Sequence, residues 1–180
     1  MPSIIYDVAV SVDGYISGPD GDISGFAHEG AVVDDYQARL ATYGIAIMGR
    51  HTYEFGYRFG LTPGQNPYPH MDTIVFSQSI ALPADGDVRV IDGPVGPALQ
   101  ELIERSDTPI YLCGGGAFAG ALLELGFIDV LRLKRAPILL GGGVSLFGAS
   151  KAAPLLTCLE TRPYDNGYLF QEYRLDRPAD

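Results

Sequence analysis

The chain has 180 residues, 47% hydrophobic and 19% charged, which suits one packed domain over 1–180 and is too apolar for a disordered chain. A formal net charge of -10 argues against an electrostatic grip on nucleic acid or an anionic membrane, since both need clustered Lys and Arg. No run approaches the ~20 apolar residues of a membrane span, and two cysteines with three scattered histidines supply neither a disulfide framework nor metal-ligand spacing.

Ile4 to Ser11 is a β-type run that leads into Asp13-Gly14 and a loop rich in Gly, Asp and Ser as far as Gly30. The start carries no basic region with a long apolar run, so no signal peptide is expected, and a reducing cytoplasm is the expected location. Glu29 to Tyr43 has helical spacing through Val32, Tyr36, Leu40 and Tyr43, with Gly44 as the expected stop. Ile45 to Met48 reads as a buried strand running into Gly49-Arg50, where a second helix starts and breaks before the Gly/Pro-rich stretch from Gly60 to Pro69.

Thr73 to Phe76 and Val88 to Ile91 read as further strands, and Val95 to Arg105 as a helix with Leu99, Leu102 and Ile103 on one face. Ile110 to Cys113 is a strand that meets Gly114-Gly115-Gly116, followed by a helix over Ala117 to Leu125 ended by Gly126. Ile128 to Arg135 is a strand. Leu155 to Thr161 and Tyr168 to Leu175 form a hairpin around Asp165-Asn166-Gly167. Alternating strands and helices imply a mostly parallel, helix-covered sheet, to which the last hairpin adds antiparallel strands at one edge.

Two glycine-bearing strand-to-helix junctions stand out, because ligands of open α/β sheets bind beyond the carboxyl ends of strands. Unpaired amides and the helix dipole there favour phosphate oxygens. The first is Ile47-Met48-Gly49-Arg50-His51-Thr52-Tyr53-Glu54, in which Gly49 admits backbone to a ligand, Arg50 offers a fork matched to phosphate and Thr52 a hydroxyl. Tyr53 suits a core position as well as a ligand contact. The second is Cys113-Gly114-Gly115-Gly116-Ala117-Phe118, whose small residues are expected to clear space for a pyrophosphate. Either alone is also compatible with a plain turn.

Taken together the junctions resemble the dihydrofolate reductase superfamily. Ile47 to Glu54 is similar to its cofactor segment, Gly114 to Gly116 to its second glycine motif, and Val10-Ser11-Val12-Asp13-Gly14-Tyr15-Ile16-Ser17-Gly18 to its first strand and mobile loop. Pro137 to Gly148, with Gly141-Gly142-Gly143, is closer to the reductase domain of bacterial riboflavin biosynthesis and its stand-alone relatives. The resemblance spans nearly the whole chain and is weakest between Tyr57 and Met71. It implies an α/β, dihydrofolate-reductase-like three-layer fold with a mostly parallel sheet of about eight strands and a C-terminal antiparallel hairpin.

The resemblance also implies NADPH as cofactor and hydride transfer to a small heteroaromatic, pyrimidine- or pterin-like substrate. Gly49, Arg50 and Thr52 would meet the cofactor's phosphates, Arg50 near the 2′-phosphate; Ser77 and Gln78 match the adenosine side. Gly114, Gly115, Gly116 and the amide of Ala117 would hold the diphosphate, and Ala9 and Ile16 would flank the nicotinamide. Stand-alone relatives pair through their terminal strands, so a homodimer is implied, consistent with Leu155, Leu159, Tyr168, Phe170 and Tyr173 in the last hairpin.

Two departures bear on substrate. Dihydrofolate reductases carry a carboxylate early in the first helix; counting back from Gly49, that position is Val33, with Asp34 and Asp35 one and two residues on. Each residue of offset turns a helical side chain by about 100°, and an acidic pair there also suits the helix dipole. Asp7 lies inside an apolar strand, sharing alternation with Ala9 and Ser11. A buried carboxylate needs a partner or a polar cavity, so Asp7 is either a catalytic, substrate-facing acid or the structural partner of an Arg or amide. Asp13 reads as a turn former and His28 as a loop residue within reach of a pocket mouth. A true dihydrofolate reductase and a non-catalytic nucleotide-binding protein of the same fold are the competing readings.

Overall fold

Ten strands and four α-helices alternate through the residues described by the computed structural model, 1–176; the last four residues of the domain expected over 1–180 lie outside them. In chain order these are β1 (Ile4–Val10), β2 (Tyr15–Ser17), α1 (Ala31–Leu40), β3 (Ile45–Gly49), α2 (Arg50–Phe55), β4 (Asp72–Phe76) and β5 (Arg89–Ile91). Then follow α3 (Val95–Arg105), β6 (Ile110–Leu112), α4 (Gly116–Glu124), β7 (Val130–Arg135), β8 (Val144–Ser145), β9 (Leu156–Pro163) and β10 (Leu169–Leu175).

Eight strands form one sheet in the order β5-β4-β3-β6-β1-β7-β10-β9, and β2 and β8 form a small second one. From β5 to β7 all neighbours are parallel; β10 runs antiparallel to both β7 and β9. Alternation along β1 divides the core. Ile4 and Tyr6 face Leu99 and Leu102 of α3 and Ala119 and Leu122 of α4, whereas Ile5 joins Leu40, Tyr43, Met48 and Tyr53 on the side of α1 and α2. Helices therefore cover both faces, giving the expected three layers.

Gly126 ends α4 as expected, with φ +70 and the Phe127 amide donating to the Leu122 carbonyl. Gly44 does not cap α1, which stops at Leu40, and Gly44 is not among the positive-φ glycines. Its missing side chain instead makes room for the Thr108 hydroxyl. The last hairpin closes on three residues, 165–167: the Tyr164 amide donates to the Tyr168 carbonyl and only Gly167 takes positive φ. This is the glycine-bulge turn and not the two-residue turn that Asn-Gly favours.

Pairing of β2 with β8 was not legible, since both strands are very short. It is held by close backbone approach: a methyl at Gly143 would collide with the Ser17 carbonyl, and one at Gly116 with the Ser145 carbonyl. No helix among the described residues is long and apolar enough to cross a membrane.

Candidate active site

The two glycine junctions, far apart in sequence, are neighbours in space because β3 and β6 are adjacent, with Ile47 opposite Leu112. The Cys113 amide donates to the Ile47 carbonyl where the strands end. Thr52, in the first turn of α2, sits with its hydroxyl against Gly115, and the Phe118 side chain packs over Gly49. On the other flank of β3, Arg50 Nη1 donates to Ser79 Oγ at 3.0 Å, just beyond β4. Three carboxyl-edge segments, Ser77–Ser79, Gly49–Thr52 and Gly114–Ala117, thus form one rim.

The glycine triplet works differently from expectation. Gly114 and Gly115 take positive φ, +47 and +81, a region side chains disfavour. At Gly115 the space for a methyl is filled by the Thr52 hydroxyl, and at Gly116 by Ser145 and Gly148 backbone. These glycines chiefly let protein approach protein; the first-turn amides of α4 that they position are the groups a phosphate can use. Ser77 Oγ accepts from the amides of Ser79 and Ile80 at 3.1 and 3.0 Å, so it shapes its loop, and Gln78 beside it is exposed. The Arg50 side chain is 37% exposed, with Glu54 at 3.7 Å.

A cavity of about 450 Å³ opens beside this rim, lined by Asp7 and Ala9 of β1, Val33, Tyr36 and Gln37 of α1, and by His28, Tyr68, Tyr111, Cys113, Gly114 and Lys134. Ala9 lines this cavity; Ile16, half-buried in β2, does not. Of the alternatives left open for Asp7, the structure shows the ion-paired one. Asp7 is 1% exposed. Its Oδ2 accepts from Arg39 Nε at 2.8 Å and Tyr43 OH at 3.1 Å, and its Oδ1 from Lys134 Nζ at 2.9 Å and Arg39 Nη2 at 3.1 Å. Burial pushes the Asp7 carboxyl up, but Lys134 and Arg39 more than offset this and hold it below the usual carboxylate range. Burial pushes the Lys134 ammonium down, offset in part by Asp7. The Tyr43 hydroxyl, desolvated and next to Asp7, is pushed up to about 12.

The first helix presents Val33 to the cavity, as the count from Gly49 implies. Asp34 is exposed, and Asp35 is engaged by Tyr164 OH at 2.7 Å and Arg162 at 3.2 Å. Neither carboxylate lines the cavity. Asp13 does more than turn the chain: its carboxylate accepts from the Leu140 and Gly141 amides at 3.1 and 2.8 Å and fastens the glycine-rich loop. Sequence reasoning missed Lys134, Tyr36 and Tyr68. Tyr36 OH shares a hydrogen bond with Tyr111 OH at 2.6 Å, and Tyr68 OH with Cys113 Sγ at 3.0 Å. A cation at an alternating position of β7, beside the acid of β1, was the available signal for Lys134.

A family model for the RibD C-terminal domain matches residues 2–170. The chain belongs to the RibD C-terminal domain family. Among its relatives, the uncharacterized protein YwjB of Bacillus subtilis (strain 168) is 30% identical over 146 residues, 81% of this chain and 82% of that protein. Three solved structures share the fold. A Shewanella sp. PV-4 protein provisionally ascribed to riboflavin biosynthesis has TM-score 0.82 and 23% identity, covering 98% of this chain and 100% of that one. A Thermotoga maritima diaminohydroxyphosphoribosylaminopyrimidine deaminase/5-amino-6-(5-phosphoribosylamino)uracil reductase has TM-score 0.74 and 18% identity, covering 97% of this chain and 57% of that one. Dihydrofolate reductase from Enterococcus faecalis, complexed with NADP(H), has TM-score 0.69 and 17% identity, covering 97% of both chains. This RibD-family chain accordingly has the dihydrofolate-reductase-like fold. Among the described residues no group of three or more His, Cys, Asp and Glu is placed to hold a metal ion.

Proposed function

We propose that this RibD-family chain is an NADPH-dependent reductase of a small pyrimidine- or pterin-like ring. The observation that carries the reading is the junction of rim and cavity: Gly114 belongs to both, so a dinucleotide held along the rim would bring its nicotinamide to the cavity mouth. The residues present fit such a cofactor, since Arg50 is accessible beside the Ser79 hydroxyl, and the amides that open α4 follow directly on the triplet. NADPH, when bound, supplies a hydride. The chain's own part is to orient and to exclude water: Arg50 and Ser77 with Gln78 take the adenosine side, Gly49, Thr52 and Gly114 to Ala117 the diphosphate, and Ala9 and Ile16 the nicotinamide.

A true dihydrofolate reductase is disfavoured by Val33 at the helix position where that chemistry needs an acid. The proposal extends to a homodimer. Tyr168 and Phe170 are buried within the chain, but Leu155, Leu156 and Leu159 at the outer strand β9 are 78, 46 and 50% exposed, and an apolar sheet edge is the natural seat for a second copy. The direct test is loss of NADPH absorbance with 5-amino-6-(5-phosphoribosylamino)uracil, related pyrimidines and pterins as acceptors. Absence of both NADPH binding and turnover would overturn the reading.

A further inference from the structure

The cavity's electrostatics point to the kind of ring it takes, an inference that rests on the reductase reading above. Its one acid, Asp7, is already satisfied: four donors from Arg39, Lys134 and Tyr43 occupy its two oxygens, and its side chain is 0% exposed. Asp34 and Asp35 stand outside the lining. No carboxylate among the lining residues therefore remains to receive an N–H from a ligand.

Lys134 is in the opposite condition. Its side chain is 10% exposed, and its only hydrogen-bond acceptor among the described residues is Asp7. The ammonium also lies 3.5 Å from the centre of the Tyr36 ring, a cation–π contact that holds it in place. An ammonium has three donors and no acceptor. With one N–H on Asp7 and one face against Tyr36, it keeps donor capacity for the cavity it lines. The nearby hydroxyls already have partners, Tyr36 and Tyr111 each other and Tyr68 the Cys113 thiol.

We propose that Lys134 is the specificity-determining residue of this cavity and selects rings that present acceptor atoms, such as ring carbonyls, over rings that present amino groups. A carbonyl oxygen meeting a fixed ammonium gains a charge-assisted hydrogen bond. An amino-substituted ring brings donors to a donor, and if protonated a cation to a cation, so discrimination comes from repulsion as well as attraction. The dihydrofolate reductase solution, an acid facing the ring, is inverted here because the acid is turned inward to hold the cation.

The experiment uses two fluorescent pteridines of nearly equal size, lumazine (2,4-dioxo) and 2,4-diaminopteridine, titrated into the full chain with saturating NADP⁺. Lumazine is expected to bind at least tenfold more tightly. Equal binding, tighter binding of the diamino ring or binding of neither overturns the assignment. In Lys134→Gln the amide can donate to Asp7 and also accept, so the preference should fall to within threefold; Lys134→Arg, which keeps the charge, should retain most of it. A preference unchanged in Lys134→Gln overturns the role of Lys134. If that variant does not fold, the wild-type comparison and Lys134→Arg still decide. NADPH titration of the wild type separates the two readings: NADPH that fails to bind refutes the reductase reading, whereas NADPH that binds while both rings bind alike refutes only the role of Lys134.

Discussion

Replacing Asp7 by alanine probes the arrangement under the cavity. The substitution removes four hydrogen bonds at once, two of them from Arg39, one from Tyr43 and one from Lys134. Lys134 is 8% exposed overall, so its ammonium is left buried without its counter-charge. Breaking a buried pair in this way costs about 3–5 kcal/mol. At roughly 2–4 °C per kcal/mol for a chain of this size, the midpoint of thermal unfolding should fall by roughly 6–20 °C. Asp7→Asn keeps one oxygen but turns an amide toward donors, and should fall in between. The Asp7 carboxyl titrates below its ordinary value, so its contribution is fully present above the unfolded pKa and is lost as pH falls through the folded one. The gap between wild type and Asp7→Ala should accordingly narrow in acid, below about pH 3.9. Calorimetry of the three proteins at neutral and acidic pH measures this. A neutral-pH midpoint for Asp7→Ala within ~3 °C of wild type, the ~1 kcal/mol scale of an exposed pair, would refute the reasoning.

Arg50→Ala should weaken NADPH by roughly ten- to a hundredfold in titration, from one lost charge-assisted contact of ~1.5–3 kcal/mol, and NADH much less; equal losses would remove Arg50 from the 2′-phosphate. Gly116→Ala drives a methyl into the Ser145 carbonyl and should lower stability by ~1–3 kcal/mol and impair NADPH binding. Gly93→Ala, with nothing within 4 Å, should change stability by less than ~0.5 kcal/mol in the same denaturation assay. Dihydrofolate should turn over far below the ordinary ~1–10³ s⁻¹ at saturating NADPH, and a rate inside that range would return an acid to the first helix. Light scattering at micromolar concentration should report about twice 19.3 kDa.

Much of the fold was legible because local signals agreed with it. α3 was read over its observed span, since Leu99 and Leu102 fall on one buried face, and β1, β3, β4 and β6 are short apolar runs ending at glycine or polar residues. The rim was legible for the same reason, as each of its segments follows a strand directly. What escaped depends on partners distant in the chain. Whether Asp7 faced a ligand or an ion pair turned on Arg39 and Lys134, which are 32 and 127 residues away. Gly44 and Gly116 looked like turn or ligand glycines, and only the positions of Thr108 and Ser145 show that they yield space to protein. Tyr68 lies in the stretch of weakest resemblance and reaches the cavity through a bond to Cys113.

The placement of β1 also bears on how the chain is made. β1 occupies an interior position of the sheet and precedes both of its neighbours in the chain, its partners being Ile110 to Leu112 and Val130 to Arg135. Until Ile110 to Leu112 of β6 have been made, Ile-Ile-Tyr-Asp-Val-Ala-Val has no edge to join, and closure across so many residues is slow. An apolar, β-prone heptad waiting that long is a template for intermolecular pairing. Asp7 is the only charge in it. Ionised in the nascent chain, that carboxylate interrupts the run as a gatekeeper does, and only when Arg39 and Lys134 arrive to neutralise it can the strand be buried. The residue that anchors the finished core thus also guards the unfinished one.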